Sequence, residues 1–130
     1  MKTVRPFLMF QGEAEAAMNL YVSVFPSSKI LEIERNGASG PGAEGSVKLA
    51  RFSIGDQTIM CTDSAVKHEF TFTPAFSLFV DCETEQEIQK AFEVLSADGK
   101  VLMPLGAYGF SRKFGWTSDR FGVSWQLNLP

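Results

Sequence analysis

The side chains that most often carry out catalysis are few and scattered in this sequence. The one histidine, His68, lies in the polar segment SAVKHEFTFTP at residues 64–74, and no second histidine supports it as a general base. No G-x-S-x-G motif marks a nucleophilic serine. A lone histidine in such a segment is more typical of a solvated loop than of a catalytic base. The role of His68 therefore stays open at this point.

The two cysteines, Cys61 and Cys82, form no CxxC motif, and each lies at or near the end of an apolar strand-like run. A small buried cysteine is the commoner explanation of that pattern than a reactive thiol. Two cysteines are also too few for a disulfide framework. We therefore expect two free thiols and a cytoplasmic protein.

Composition limits the classes of partner. The chain has 130 residues, a net charge of −3 and no basic run longer than Arg112–Lys113, which argues against a nucleic-acid partner. No apolar stretch reaches the roughly 20 residues that a membrane span needs, and the N-terminus does not resemble a signal peptide. We therefore predict a single domain over residues 1–130 with a small-molecule ligand and with neither nucleic acid nor a membrane as its partner.

Two segments of the chain repeat one pattern of elements. The first predicted helix begins at about Glu13, and the second carries a capping box, Thr84 with Glu87, and a C-terminal glycine, Gly99. Their apolar positions agree after a shift of seventy residues, and so do the strands before them, Leu8-Met9-Phe10 and Leu78-Phe79-Val80. Such an internal repeat predicts an α+β fold of two βαβββ modules, module 1 at about 1–66 and module 2 at about 70–130. The apolar positions of the two helices are Met18, Tyr21, Val22 and Phe25, and Ile88, Ala91, Phe92 and Leu95.

Four motifs give this pattern a family likeness: PFLMFQGEAEAAMNLYVSVFP, GDQTIMCTDS, FTPAFSLFVDCE and FGWTSDRFGVSWQL. With them the chain resembles the vicinal oxygen chelate superfamily, which includes glyoxalase I, bleomycin-resistance proteins and extradiol dioxygenases. Within it, the chain looks like the PhnB-like branch, described as 3-demethylubiquinone-9 3-methyltransferase. The resemblance implies curved mixed sheets around a cleft, and a homodimer.

The resemblance also implies where a metal would be bound. The four ligand positions of such relatives fall at Pro6, near Met60, near Ala75 and at Gln126. A divalent metal of the glyoxalase type needs imidazole and carboxylate groups, and only Gln126 offers an oxygen. We therefore expect no metal and no other cofactor.

The methyltransferase description can be compared with the sequence in the same way. A site for S-adenosylmethionine usually has a G-x-G-x-x-G turn between a strand and a helix. The glycine-rich segment NGASGPGAEGS at 36–46 instead joins two predicted strands.

The remaining candidates are residues that would line the cleft. If Pro6 faces the cleft, strand alternation places Leu8 and Phe10 there too, and it groups Ser77 with Phe79 and Ser124 with Gln126. Such walls suit a flat or apolar molecule held by a few amides and hydroxyls. Arg120 is a weaker candidate, since TSDRFG is typical of a turn. The predicted ligand-binding residues are Leu8, Phe10, Met60, Ser77, Phe79, Trp116, Arg120, Ser124 and Gln126.

Three functions remain possible from the sequence. The first is a protein that binds a small aromatic or apolar molecule without a catalytic metal. The second is a metal-dependent glyoxalase-like lyase or isomerase, or a dioxygenase. The third is the 3-demethylubiquinone-9 3-methyltransferase. We rank them in that order, and whether the protein is an enzyme stays open.

Overall fold

The computed structural model describes residues 1–130, which divide into two compact units, Met1–Glu69 and Phe70–Pro130. Each unit is one four-stranded mixed sheet with one helix, in the order strand, helix and three strands. The predicted α+β fold of two βαβββ modules is confirmed. Neither helix is both long enough and apolar enough to cross a membrane.

The first unit contains one parallel and two antiparallel strand pairs. Its elements are β1 (Phe7–Phe10), α1 (Ala14–Val24), β2 (Lys29–Arg35), β3 (Val47–Ile54) and β4 (Gln57–Asp63). The sheet has the order β1-β4-β3-β2, in which β1 pairs with β4 in parallel. Gly55 forms the tight turn between β3 and β4, with a positive φ of 58°.

The second unit repeats this connectivity. Its elements are β5 (Ser77–Asp81), α2 (Glu85–Ser96), β6 (Lys100–Gly106), β7 (Lys113–Ser118) and β8 (Ser124–Leu129). The sheet has the order β5-β8-β7-β6, again with the first strand parallel to the last. Helix α2 covers one face, where the alternate β8 residues Trp125 and Leu127 are fully buried.

A buried carboxylate fixes the start of α1. One oxygen of Asp63 accepts hydrogen bonds from the backbone N–H groups of Gly12 and Ala14, both at 2.9 Å. The other oxygen accepts from the N–H of Val47 at 3.0 Å. Asp63 thereby supplies partners for N–H groups that a helix start leaves unpaired, and it ties β4 to the start of β3.

The ends of α2 agree only in part with the sequence. The Thr84 hydroxyl accepts from the N–H of Glu87 at 3.0 Å, and the Glu87 carboxylate accepts from the N–H of Glu83 at 2.7 Å, so the capping box is confirmed. The predicted role of Gly99 is wrong, because Asp98 takes the left-handed conformation, with a φ of 59°. Gly99 is instead pressed against β7, since a Cβ atom there would lie 2.2 Å from the carbonyl oxygen of Ser118.

The phase of β1 also differs from the prediction. Leu8 pairs with Cys61, which pairs with Ala50, and all three are buried. Phe52, on the same face as Ala50, contacts the ring of Tyr21 in α1 at 6.0 Å. This face therefore lies under the helix, and residues 8 and 10 belong to the core.

Candidate ligand-binding site

The helix-free face of the second sheet brings together most of the predicted site residues. We use this name for the face opposite α2, on which paired residues form rows across β5, β8 and β7. The rows are Ser77–Ser124–Ser118, Phe79–Gln126–Trp116 and Asp81–Asn128–Phe114. The helix side of the same strands carries Trp125, Leu127 and Gly115, and Gly115 lies against the ring of Phe92 of α2. Polar side chains and aromatic rings thus share the helix-free face.

Four of these side chains form one chain of hydrogen bonds, which we call the polar relay: Trp116, Ser124, Ser77 and Gln126. The indole N–H of Trp116 donates to the hydroxyl oxygen of Ser124 at 2.8 Å. The hydroxyls of Ser124 and Ser77 are 2.7 Å apart, and the Gln126 amide donates to the Ser77 oxygen at 3.2 Å. The relay links three strands and runs from the buried Ser124 to the half-buried Gln126.

The burial of Ser124 determines which of the two serine hydroxyls donates to the other. Ser124 is only 1% exposed, so its hydroxyl proton needs a partner inside the protein, and the Ser77 oxygen is that partner. The Ser77 oxygen then accepts from both Ser124 and Gln126, which fills its two lone pairs. The hydroxyl proton of Ser77 and the amide oxygen of Gln126 remain for an outside molecule. The relay therefore offers one donor and one acceptor side by side.

Aromatic rings border the relay. The rings of Phe79 and Phe114 lie 6.3 Å apart, on the two strands that flank β8. Phe110 contacts Phe114 edge-on at 5.1 Å, and Tyr108 lies 6.3 Å from Phe110. Phe114 is buried under these neighbours, whereas Phe79 is 56% exposed. Phe79 thus presents an apolar surface directly beside the polar relay.

The other predicted residues do not belong to the helix-free face of the second sheet. Leu8 and Phe10 are buried in the core of the first unit, where only 5% and 4% of their surfaces are exposed, so their placement in a ligand site is corrected. The prediction assumed that Pro6 lies on the exposed face of β1 and therefore placed Leu8 and Phe10 on that face as well. Met60, half-buried, lies on the helix-free face of the first sheet with its partners Phe7 and Arg51.

Arg120 lies in the turn between β7 and β8, and its side chain is exposed. Asp119 organises that turn. Its carboxylate accepts from the N–H groups of Phe121 and Val123 at 2.8 and 3.1 Å, and from the indole N–H of Trp125 at 2.9 Å. The prediction that TSDRFG forms a turn is confirmed, with Gly122 in the left-handed region at a φ of 90°.

One group on the helix-free face was missed from the sequence. The amide of Asn128 donates to a carboxylate oxygen of Asp81 at 2.8 Å, and the Ser111 hydroxyl donates to the Asn128 oxygen at 2.5 Å. Strand alternation from Ser77 and Phe79 to Asp81 was the available signal. Ser111 comes from the loop before β7, and no pattern in the sequence indicates that contact.

The cysteines do not add a reactive thiol to either unit. Both are free and buried. Burial raises the pKa of the Cys61 thiol to about 12, and the nearby Asp63 carboxylate acts in the same direction. Burial also raises the pKa of the Cys82 thiol to about 12, together with the carboxylates of Glu87 and Asp81. A thiol that stays protonated at neutral pH is a poor nucleophile.

Solved structures define the class of protein that this fold represents. A variant of the fosfomycin resistance protein FosX from Listeria monocytogenes, complexed with Mn(II), matches with a TM-score of 0.64 over 100% of this chain and 94% of that chain, at 12% identity. The chain therefore has the two-module fold of the glyoxalase/bleomycin-resistance class.

The family is narrower than the class. The family model described as 3-demethylubiquinone-9 3-methyltransferase matches residues 2–128. A PhnB protein from Bacillus cereus is 55% identical over 99% of this chain and 100% of that chain, with a TM-score of 0.96. Protein YjdN of Escherichia coli strain K12 is 24% identical, over 95% of this chain and 92% of its own length. The chain belongs to this PhnB-like family.

The side chains of this protein do not fit the divalent-metal centre that the class implies. No three His, Cys, Asp or Glu side chains are grouped so that they could hold a metal ion. At the four expected positions, Pro6 and Ala75 offer no side-chain donor and Met60 offers a thioether, which suits soft metals. Gln126 alone has an oxygen, and its amide belongs to the polar relay.

The chain also does not fit a nucleotide-type site for S-adenosylmethionine. The glycine-rich segment 36–46 connects β2 with β3, which pair antiparallel, so no helix follows it. The start of α1 is occupied by the Asp63 carboxylate, and that of α2 by Thr84 and Glu87. The N–H groups that hold an anionic cofactor at a helix start are thus already bonded within the protein.

Proposed function

We propose that this protein binds a small, flat aromatic or apolar molecule on the helix-free face of the second sheet, without a catalytic metal. The observation that carries the proposal is the polar relay beside Phe79. It leaves the Ser77 hydroxyl proton and the Gln126 amide oxygen available next to an exposed ring. An apolar surface with a few fixed polar groups is the usual composition of a small-molecule site.

The donor and the acceptor suggest which ligand to test. A primary aromatic carboxamide accepts from Ser77 through its carbonyl oxygen and donates to Gln126 through its amino group, while its ring packs on Phe79. Naphthalene carboxamide is therefore the first probe. A naphthoquinone, which has two acceptors and no donor, is expected to bind less tightly.

The test is calorimetric titration of the purified protein with naphthalene carboxamide. Gln126→Ala is expected to weaken binding about tenfold or more, because it removes an acceptor and loosens Ser77. Gln89→Ala, on the exposed side of α2, is the matched control and is expected to bind like the wild type. Binding that is absent, or equal in the two variants, would contradict the proposal.

The same titration addresses the metal. Protein treated with a chelator and protein supplied with Mn²⁺ or Zn²⁺ are expected to give equal affinities. A stoichiometric, tightly held metal in the purified protein, or binding that requires added metal, would favour the lyase, isomerase or dioxygenase alternative.

Two further properties belong to this proposal. Free, buried Cys61 and Cys82 are consistent with a reducing compartment, and we infer a cytoplasmic protein. The resemblance to the superfamily supports a homodimer, and light scattering during size-exclusion chromatography tests it directly. A monomer mass of 14.3 kDa at working concentration would remove the dimer.

A further inference from the structure

We propose that Asp81 makes the ligand site selective for a molecule that carries a cationic nitrogen beyond its aromatic ring. This inference rests on the proposed function, because it assigns the second end of the same ligand. Asp81 lies on the same face of β5 as Ser77 and Phe79, two residues beyond the exposed ring. A ligand whose ring lies on Phe79 therefore has the relay at one end and the Asp81 carboxylate at the other.

The Asp81 carboxylate is held in place by other side chains. Ser111 donates its hydroxyl proton to the Asn128 oxygen, which turns the amino group of Asn128 toward Asp81. Asn128 is only 8% exposed, so this support is enclosed. The bond to Asn128 uses one oxygen of Asp81 and leaves the second oxygen for a ligand.

The charge of Asp81 is not neutralised within the protein. Asp81 is exposed, and no lysine or arginine pairs with it, whereas Lys113, the basic residue at the start of β7, pairs with Glu85 at 3.6 Å. The following segment carries two groups of like charge, Glu83 and Glu87, and the Glu87 carboxylate accepts a hydrogen bond from the N–H of Glu83. A fixed carboxylate beside aromatic rings is a typical arrangement for binding an ammonium group.

The spacing defines the ligand further. Ser77 and Asp81 are four residues apart on one strand, which corresponds to about 13 Å. A two-ring aromatic with a carboxamide on one ring and an aminomethyl group on the other extends along that direction. Its hydroxymethyl analogue has the same shape without the charge, so the pair isolates the contribution of Asp81.

The experiment compares the two probes by calorimetry at low salt. The wild type is expected to bind the aminomethyl naphthalene carboxamide about fivefold to tenfold more tightly than the hydroxymethyl analogue. Asp81→Asn keeps the side-chain size and an oxygen acceptor, and it is expected to bring that ratio to about one while the affinity for the analogue is unchanged. Asp56→Asn, in the exposed β3–β4 turn, makes the same change in net charge and is expected to keep the ratio.

The outcomes separate the two proposals. A ratio of one in the wild type, or a preference that survives in Asp81→Asn, overturns the role of Asp81. If the hydroxymethyl analogue still binds and Gln126→Ala still weakens its binding, the proposed function stands without a role for Asp81. If neither probe binds the wild type, both proposals are overturned. Thermal unfolding of Asp81→Asn at the wild-type temperature confirms that the variant is folded.

Discussion

The hydroxyl oxygens of Ser77 and Ser124 lie 2.7 Å apart on two parallel strands of the second sheet. The two serines face different surroundings. Ser124 is buried and takes the indole N–H of Trp116, whereas Ser77 is half-buried and takes the Gln126 amide. One pair of like residues thus divides into an inner serine that holds the relay and an outer serine whose hydroxyl faces the proposed ligand.

Truncation of the two serines is expected to affect binding differently. Ser77→Ala removes the outward donor, so affinity for naphthalene carboxamide falls about fivefold or more, and it lowers the free energy of unfolding by about 1 kcal/mol because the buried Ser124 hydroxyl proton loses its acceptor. Ser124→Ala leaves the Trp116 N–H without its acceptor, at a cost of about 1–2 kcal/mol, but it keeps the Ser77 hydroxyl and is expected to change affinity little. Urea denaturation measures the stability of both variants, and calorimetric titration measures their affinity. Equal losses of affinity in the two variants would remove the distinction between an inner and an outer serine.

Asp63 is expected to be among the most important polar residues for stability. Asp63→Ala leaves three backbone N–H groups without acceptors, at Gly12, Ala14 and Val47, and is expected to cost about 3 kcal/mol. Asp63→Asn keeps one oxygen and should cost less. Urea denaturation measures both against Glu44→Ala, an exposed carboxylate in the glycine-rich segment. A loss below about 1 kcal/mol in Asp63→Ala would show that water replaces these bonds.

Gly99 is expected to tolerate no side chain. In Gly99→Ala the new Cβ atom would lie 2.2 Å from the Ser118 carbonyl oxygen, which belongs to β7 and has no rotamer by which to withdraw. Strand β7 or the end of α2 must shift, at an expected cost of about 2 kcal/mol. Gly37→Ala, where nothing lies within 4 Å, is the matched control and should leave the thermal unfolding temperature nearly unchanged. Similar unfolding temperatures for the two variants would contradict the close contact.

The internal repeat indicates which face of β1 is exposed, and it does so more accurately than counting from Pro6. The shift of seventy residues aligns Ser77 and Phe79 with Phe7 and Met9. Had that phase been applied to β1, Leu8 and Phe10 would have been assigned to the core, where they are. Counting from Pro6 put the exposed phase one residue out of register, and a shift of one residue reverses every side chain on a strand.

Other features could not be predicted because they depend on contacts distant in sequence. Asp63 is the last residue of β4, yet it caps a helix that begins 49 positions earlier. Ser111 reaches Asn128 from a loop whose path no periodicity describes. Gly99 looks like a helix-ending glycine in sequence, and only the approach of β7 shows its other constraint. By contrast, the capping box at Thr84 and the turn in TSDRFG are local patterns, and the sequence predicts both.

The buried thiols are expected to make the protein sensitive to alkaline pH. In the unfolded chain both cysteines ionise near their ordinary pKa of 9.0, whereas in the folded protein each pKa lies at about 12. Between these two pH values the cysteines are more ionised in the unfolded state, which therefore binds fewer protons than the folded state. The free energy of unfolding therefore falls as pH rises from about 9 toward 12, and the stabilisation is complete below pH 9.

Two measurements check this behaviour. At about pH 8 a thiol reagent is expected to modify neither Cys61 nor Cys82 in the native protein and both after denaturation, because only the unfolded chain exposes them. Urea denaturation at about pH 8 and pH 10 should show a smaller loss of stability in the Cys61→Ala, Cys82→Ala double variant than in the wild type. If groups other than the thiols caused the loss of stability, the wild type and the double variant would lose the same amount. Rapid modification of either cysteine in the native state would show that the unit containing it opens readily.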